Sequence, residues 1–479
     1  MNSVLLINPP YYTTDDNRRI PHIGLLYLQA SLKKNGFECD IIDAAASDAD
    51  FSVADILRKA QKKRYLFFGI TVLYSTEKIA IEIAELLKKN IPGCIIALGG
   101  IHATIEHERL IQTYKCIDII MRGDGENTIV QLAKCLVDKY PTTLYGCTIR
   151  KSDGNIVYAN EIVHIDDLDK LPFPLHENFS TKAAKKFLND NANNYVPVSS
   201  SRGCVYKCSF CCIPCTNSKW RARSAENVIE EILKISQTVQ NPFVVFVDDN
   251  FLLDKERALD IARGIREQCH TIIPFSFATR ADQIVYAGEE LMTELKLCGC
   301  VTVEVGIENG CTSVLERMNK KITSDTNLRA LNVLRKSGII ASVDYILFEP
   351  QISIDELKTN ISFFKESGLW GYYPPRIYNR IFPYTGAAVC KEITDMNHYF
   401  ANDEVNMIYT QLIKFKQIVQ PQITKKIFDE TLSLAEKMWL RMVPYIFLEK
   451  IVYGKKDDAS CVKYCEDLLK KYDIKIQKE

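Results

Sequence analysis

Residues Ser201–Cys215 read SRGCVYKCSFCCIPC, and within them Cys204, Cys208 and Cys211 stand in the spacing Cys-x3-Cys-x2-Cys. Three thiolates on one short loop can hold three irons of a 4Fe-4S cluster and leave the fourth iron open. A fourth protein ligand closes such a cluster into an electron carrier, whereas an open iron is a reaction site. Cys212 and Cys215 lie close by. A structural zinc knot of four thiolates is therefore the competing reading of the loop, and local packing is the simplest reading of those two residues.

Outward from the loop, short β-rich runs alternate with helical periodicity, the pattern of a parallel β/α succession. Strands are expected at Val196–Ser199, Val244–Val247, Phe275–Ala278, Thr302–Gly306, Ser342–Phe348 and Tyr373–Ile377. Helices are expected at Ala225–Thr238, Lys255–Cys269, Glu289–Leu297, Cys311–Arg317, Ser324–Lys336 and Asp355–Glu366. In such folds, chemistry gathers at the carboxyl ends of the strands. Three of those ends carry polar residues: Asp248-Asp249-Asn250, Thr279 through Asp282, and Glu304 through Asn309. Trp220 through Ser224 precedes a helix that Ser224 can cap. Arg221 and Arg223 there suit an anionic group or ion pairs equally.

The loop, with Phe210 just before its third cysteine, resembles the signature of the radical S-adenosylmethionine (radical SAM) superfamily. Together with WRARSAENVIEEI, FVDDNF, TRADQI and VEVGIENG, it is similar to that superfamily's cobalamin-associated branch. The resemblance implies a partial (β/α)6 TIM-like barrel over 196–378. It also implies that Cys204, Cys208 and Cys211 are the metal ligands and catalytic centre, and that the open iron chelates the amino and carboxylate groups of S-adenosyl-L-methionine. Carried over by position, Asp248, Asp249 and Asn250 approach the methionine end of that molecule, and Arg280 and Glu308 act near its carboxylate or ribose. Helix capping and structural ion pairing are the plain alternatives for these residues. Phe348-Glu349-Pro350-Gln351 departs from the glycine- and proline-containing turn common in relatives, and Ile381–Ala387 resembles a later family element with Ala387 in place of threonine.

Residues 1–140 show the same alternation, with strands expected at Val4–Asn8, Cys39–Ile42, Leu66–Thr71, Ile95–Leu98 and Ile117–Met121 and helices between them. No GxGxxG follows the first strand, which disfavours a dinucleotide. The stretches Ile20–Asp43, Gly69–Leu73, Leu98–Thr104 and Arg122–Thr128 resemble a Rossmann-like cobalamin-binding domain. By that resemblance Thr71, Leu73, Gly99, Gly100 and Gly125 line the corrinoid pocket. The Asp-x-His-x-x-Gly element that supplies a histidine to cobalt is absent, since His22 stands only two positions before Gly24 and Ile20 replaces the aspartate. Residues 141–195 read as a connector, with a hairpin turn at Ser152–Asn155. Residues 379–479 read as a small, mainly helical cap.

Composition narrows the function classes. Sixty basic against sixty acidic residues leave no net charge, which disfavours a nucleic-acid partner. Seventeen cysteines are too sparse for a disulfide scaffold in a chain of 479 residues, and the amino terminus lacks the features of a secretory leader. A reducing, cytoplasmic setting is expected. The apolar stretch from Met438 is broken by Arg441, Pro444, Glu449 and Lys450, so it reads as a packed helix, not a membrane span.

The expected function is a cobalamin-dependent radical SAM methyltransferase acting on a small-molecule, peptide or lipid-like biosynthetic intermediate. A flavodoxin- or ferredoxin-type partner would supply the electron. Radical cyclisation, rearrangement or dehydration without methyl transfer is the first alternative. A corrinoid sensor or carrier is the second, and an iron-sulfur electron carrier the third.

Overall fold

The structure is a computed structural model describing residues 2–10, 20–46, 51–138, 144–158, 161–176, 194–393, 396, 399–454, 469–472 and 474. It divides into two compact units. The first is Met1–Tyr206, Cys212–Ala278 and Glu294–Thr302; the second is Lys207–Cys211, Thr279–Thr293 and Val303–Glu479. The connector expected at 141–195 lies partly outside the described residues.

The first unit opens with β1 (Ser3–Asn8), α1 (Ile23–Lys34), β2 (Glu38–Asp43), α2 (Val53–Ala60), β3 (Phe68–Thr71), α3 (Glu77–Asn90) and β4 (Ile96–Gly99). The short helices α4 (Ile101–Ile105) and α5 (His107–Thr113) lead to β5 (Ile119–Met121) and α6 (Glu126–Asp138). The sheet order is β2-β1-β3-β4-β5, all parallel, extended antiparallel by β6 (Cys147–Arg150) and β7 (Ile156–Val157). The hairpin expected around Ser152–Asn155 is the β6–β7 pair. Val4 to Ile7 are all buried because the sheet is covered on both faces. Leu5 and Ile7 pack with Ile56, Ala84 and Leu87 from α2 and α3, while Val4 and Leu6 pack with Leu25, Leu32, Ile129 and Leu132 from α1 and α6. Burying apolar side chains on both faces is worth roughly 25 cal/mol per Å², so the strand register is strongly held.

The first unit continues with β8 (Asn194–Val198), β9 (Ser201–Arg202), α7 (Ile213–Thr216), β10 (Arg221–Ala222), α8 (Ala225–Thr238), β11 (Pro242–Phe246) and α9 (Lys255–Gln268). β9 and β10 form an antiparallel ribbon, and β11 lies between β8 and the start of β12 (Phe275–Arg280), both parallel to it. Ser224 caps α8 as expected, its hydroxyl accepting from the Asn227 amide at 3.2 Å.

The second unit takes the end of β12, the start of α10 (Ala281–Leu297) and most of β13 (Cys300–Glu308), followed by α11 (Thr312–Arg317), α12 (Ser324–Lys336), β14 (Ile340–Tyr345) and α13 (Ile354–Glu366). β13 lies between β12 and β14. The strand expected at Tyr373–Ile377 is not formed. Pro374 and Pro375 carry no amide hydrogen for a ladder, and the chain pairs only later, in a single parallel bridge between Phe348 and Arg380. The carboxyl-terminal part is helical: α14 (Asp403–Ile418), α15 (Gln420–Ile427) and α16 (Leu434–Tyr453). In α16, Leu440, Val443, Tyr445 and Leu448 are buried. Among the described residues, no helix is long and apolar enough to cross a membrane.

Candidate functional site

In the first unit, the carboxyl edge of β1, β3, β4 and β5 opens into a cavity of about 220 Å³. Of the residues expected there, Thr71, Gly99, Gly100 and Gly125 line it. Leu73 does not; it is 41% exposed beyond the end of β3. Gly100 has φ +95°, and a Cβ there would sit 2.9 Å from Thr71 Oγ1, so the turn after β4 needs glycine on both counts. Gly99 differs. The nearest atom to a Cβ at Gly99 is Met121 O at 4.0 Å, so the chain has room for a side chain, and what that side chain would fill is the cavity.

His22 also lines the cavity. Its Nδ1 accepts from the Leu25 amide at 3.3 Å at the start of α1, and its own amide donates to Asp43 at 2.8 Å. Burial lowers its pKa. Through that Nδ1 contact the ring caps the first turn of α1.

Four charged residues meet beside this cavity: Asp124, Glu126 and Arg202 line it, and Arg221 joins them through Asp124. Arg202 donates to Asp124 at 3.1 Å and to Glu126 at 2.6 Å, and Arg221 donates to the other oxygen of Asp124 at 2.5 Å. Arg202 also lies 5.0 Å over the Tyr27 ring. Burial disfavours the charge on Arg202, but Glu126 and Asp124 more than offset it and raise its pKa. Arg221 and Arg223 are thus ion-pairing residues, the latter with buried Glu231, which also meets His176 at 2.8 Å. Asp124 and Glu126 lie in the Arg122–Thr128 stretch that resembles the cobalamin-binding family, and Arg202 is marked only by standing two residues before Cys204.

Asp248, also in the first unit, is 3% exposed and uses both oxygens on the chain itself. It accepts from the Ser200 amide at 2.7 Å, the Ser200 hydroxyl at 2.5 Å and the Ser201 hydroxyl at 2.6 Å. Burial raises its pKa against the pull of those bonds. Asp249 accepts from the Gly203 amide at 2.9 Å, immediately before Cys204, and Asn250 is fully buried. The aspartates therefore brace the entry to the cysteine loop.

Cys204 belongs to the first unit, where its amide donates to Asn217 O at 3.2 Å; Cys208 and Cys211 belong to the second. In the second unit, the loop is pinned by Ser209 N to Met318 O at 2.9 Å, Val389 N to Ser209 O at 2.9 Å and Asn319 Nδ2 to Lys207 O at 2.6 Å. Arg280 places Nη1 3.4 Å from Cys208 Sγ, and its other nitrogens hold Asp282 and the Lys320 carbonyl. Lys320 in turn donates to Glu308 at 2.8 Å and stands 5.9 Å over the Phe210 ring. Cys208, Phe210, Arg280 and Glu308 are thus brought together around Lys320, a residue the sequence reading passed over. Glu308 holds a left-handed φ of +61°, strained for a residue with a side chain. A Cβ on Gly306 would come within 2.6 Å of the Glu308 carboxylate, so this glycine makes room for the Glu308–Lys320 pair.

Farther along the same strands, burial pushes the Asp344 carboxyl up to about 8, with Glu304 and Glu308 adding to the effect and Arg376 opposing it. Glu349, in the turn that departs from the family pattern, is buried and paired with Arg317 at 2.8 Å. Among the described residues, no three His, Cys, Asp or Glu side chains converge as ligands of a single metal ion. A 4Fe-4S cluster instead takes one thiolate per iron.

Residues 16–133 match the family model described as the B12 binding domain, and residues 198–364 match that of the radical SAM superfamily. The chain belongs to the radical SAM enzymes that carry a cobalamin-binding domain. It is 29% identical over 371 residues to an uncharacterized methyltransferase of Pyrococcus horikoshii, covering 76% of this chain and 78% of that one. It is 23% identical over 415 residues to an anaerobic magnesium-protoporphyrin IX monomethyl ester cyclase of Rubrivivax gelatinosus, covering 83% and 72%. Its fold superposes with a TM-score of 0.76 on the cobalamin-dependent S-adenosylmethionine radical enzyme OxsB, at 19% identity over 99% of this chain and 76% of that one.

Proposed function

We propose that this chain is a cobalamin-dependent radical SAM methyltransferase acting on an unactivated carbon of a small-molecule, peptide or lipid-like intermediate. The observation that carries the reading is the presence in one chain of a glycine-cradled cavity in a B12 binding domain and a three-cysteine loop in a radical SAM domain. The methyltransferase relative supports it. When bound, the cluster and S-adenosylmethionine supply a 5'-deoxyadenosyl radical and methylcobalamin supplies the methyl group.

The residues supply placement. Cys204, Cys208 and Cys211 would hold the cluster, and Arg280 orients Cys208 by donating to its sulfur. Lys320, beside Phe210 and fixed by Glu308, would place a cation next to the loop that binds S-adenosylmethionine. Gly99 would let the corrin approach the backbone closely, and Thr71, Gly100 and Gly125 would line the pocket beside it. Flavodoxin or ferredoxin is the electron donor this chemistry calls for.

The test needs no substrate. Reconstituted protein given hydroxocobalamin, reductant and S-adenosylmethionine is expected to form both 5'-deoxyadenosine and S-adenosylhomocysteine, the second from remethylation of cobalt. Cys208→Ala should abolish the 5'-deoxyadenosine. The cyclase relative favours radical chemistry without methyl transfer as the second reading. Formation of 5'-deoxyadenosine alone, with no S-adenosylhomocysteine, would decide for it.

A further inference from the structure

Glu126 is 4% exposed, lines the cavity of the first unit, and spends only one carboxylate oxygen on the chain. Oε1 receives Arg202, whereas Oε2 is buried and has no hydrogen-bond partner among the described residues. Glu126 is also the first residue of α6, where the helix amino terminus favours a carboxylate. A buried charged oxygen without a donor is costly unless a ligand supplies one.

The charge balance at the rim limits what that ligand is. Asp124 and Glu126 are matched by Arg202 and Arg221, so the four groups sum to zero. A cation would unbalance them, and an anion would meet a bare carboxylate oxygen. A neutral N–H donor does neither. The cofactor of a B12 binding domain carries such donors around its rim, as primary amides on the corrin ring.

We propose that Glu126 Oε2 accepts a hydrogen bond from one peripheral primary amide of the bound corrinoid, with Arg202 holding the carboxylate in place. This rests on the cobalamin reading above. It makes Glu126 a binding residue that selects the orientation of the ring.

Monocarboxylic acid derivatives of hydroxocobalamin, each with one peripheral amide hydrolysed, test this by equilibrium binding, without turnover. Wild-type protein is expected to bind one isomer at least about tenfold more weakly than hydroxocobalamin, because two carboxylates then face each other. Glu126→Gln, whose side-chain amide donates to a carboxylate, should rescue that isomer alone and weaken hydroxocobalamin. Glu126→Asp keeps the charge but withdraws the oxygen, so it should weaken hydroxocobalamin without rescuing any isomer; it also serves if the glutamine variant does not fold. Equal binding of all isomers to the wild type overturns the assignment, as does a deficit that persists unchanged in both variants. If hydroxocobalamin itself does not bind the wild type, the cofactor reading fails and this assignment falls with it.

Discussion

At the sheet edge of the first unit two adjacent positions carry no side chain, whereas around Lys207–Cys211 in the second unit the neighbours carry charge. Gly99 leaves space at the cavity, and Gly100 makes the tight turn beside it. Arg280, Lys320 and Glu308 form an unbroken row of donors and acceptors beside Cys208 and Phe210. A bulky, rigid cofactor is met by removing atoms. A small loop that must keep its sulfurs in position is met by adding buried polar contacts, each of which needs its partner.

The sharpest way to break this contrast is Lys320→Met. The Lys320–Glu308 pair is buried, and removing one partner leaves a carboxylate uncompensated, an expected loss of about 3–5 kcal/mol in urea unfolding. The double variant Lys320→Met, Glu308→Gln should recover most of that loss. A single-variant cost no larger than that of an exposed ion pair would show the row to be incidental.

A second test is the pH dependence set by Asp344. Its folded pKa is raised to about 8, so the folded state keeps a proton that the unfolded chain has lost. Stability should therefore fall as pH rises from about 4 towards 8, by at most about 1.4 kcal/mol per pH unit. Asp344→Asn should remove this slope and become more stable relative to wild type as pH rises. Parallel unfolding curves for the two proteins between pH 5 and 8 would contradict the assignment.

The smallest expected effect lies on the glycine side. Gly100→Ala forces a side chain into a left-handed conformation and against Thr71, a cost of about 1–3 kcal/mol, and should weaken hydroxocobalamin binding measurably. An alanine variant with wild-type stability and binding would mean that the turn after β4 does not need its glycine.

Legibility followed distance along the chain. The Ser224 cap and the β6–β7 hairpin depend on residues a few positions apart, and they stand where periodicity and turn chemistry put them. Leu73, carried over by resemblance, lies outside the cavity because β3 ends at Thr71 and the chain turns away from the strand there. The expected strand at Tyr373–Ile377 does not form because Pro374 and Pro375 outweigh its apolar and aromatic content. Lys320 was missed because it joins Glu308 across twelve positions and Arg280 across forty, with no local pattern to mark it.

The sequence by itself determined the two cofactor-binding modules, their order and the three loop cysteines, because metal ligation and phased hydrophobicity are encoded in short spacings. Only the tertiary structure decided which charges are neutralised and which oxygen is left for a ligand. Arg202 reaches Glu126 across 76 positions, and whether a carboxylate has one donor or two depends on what folding brings beside it.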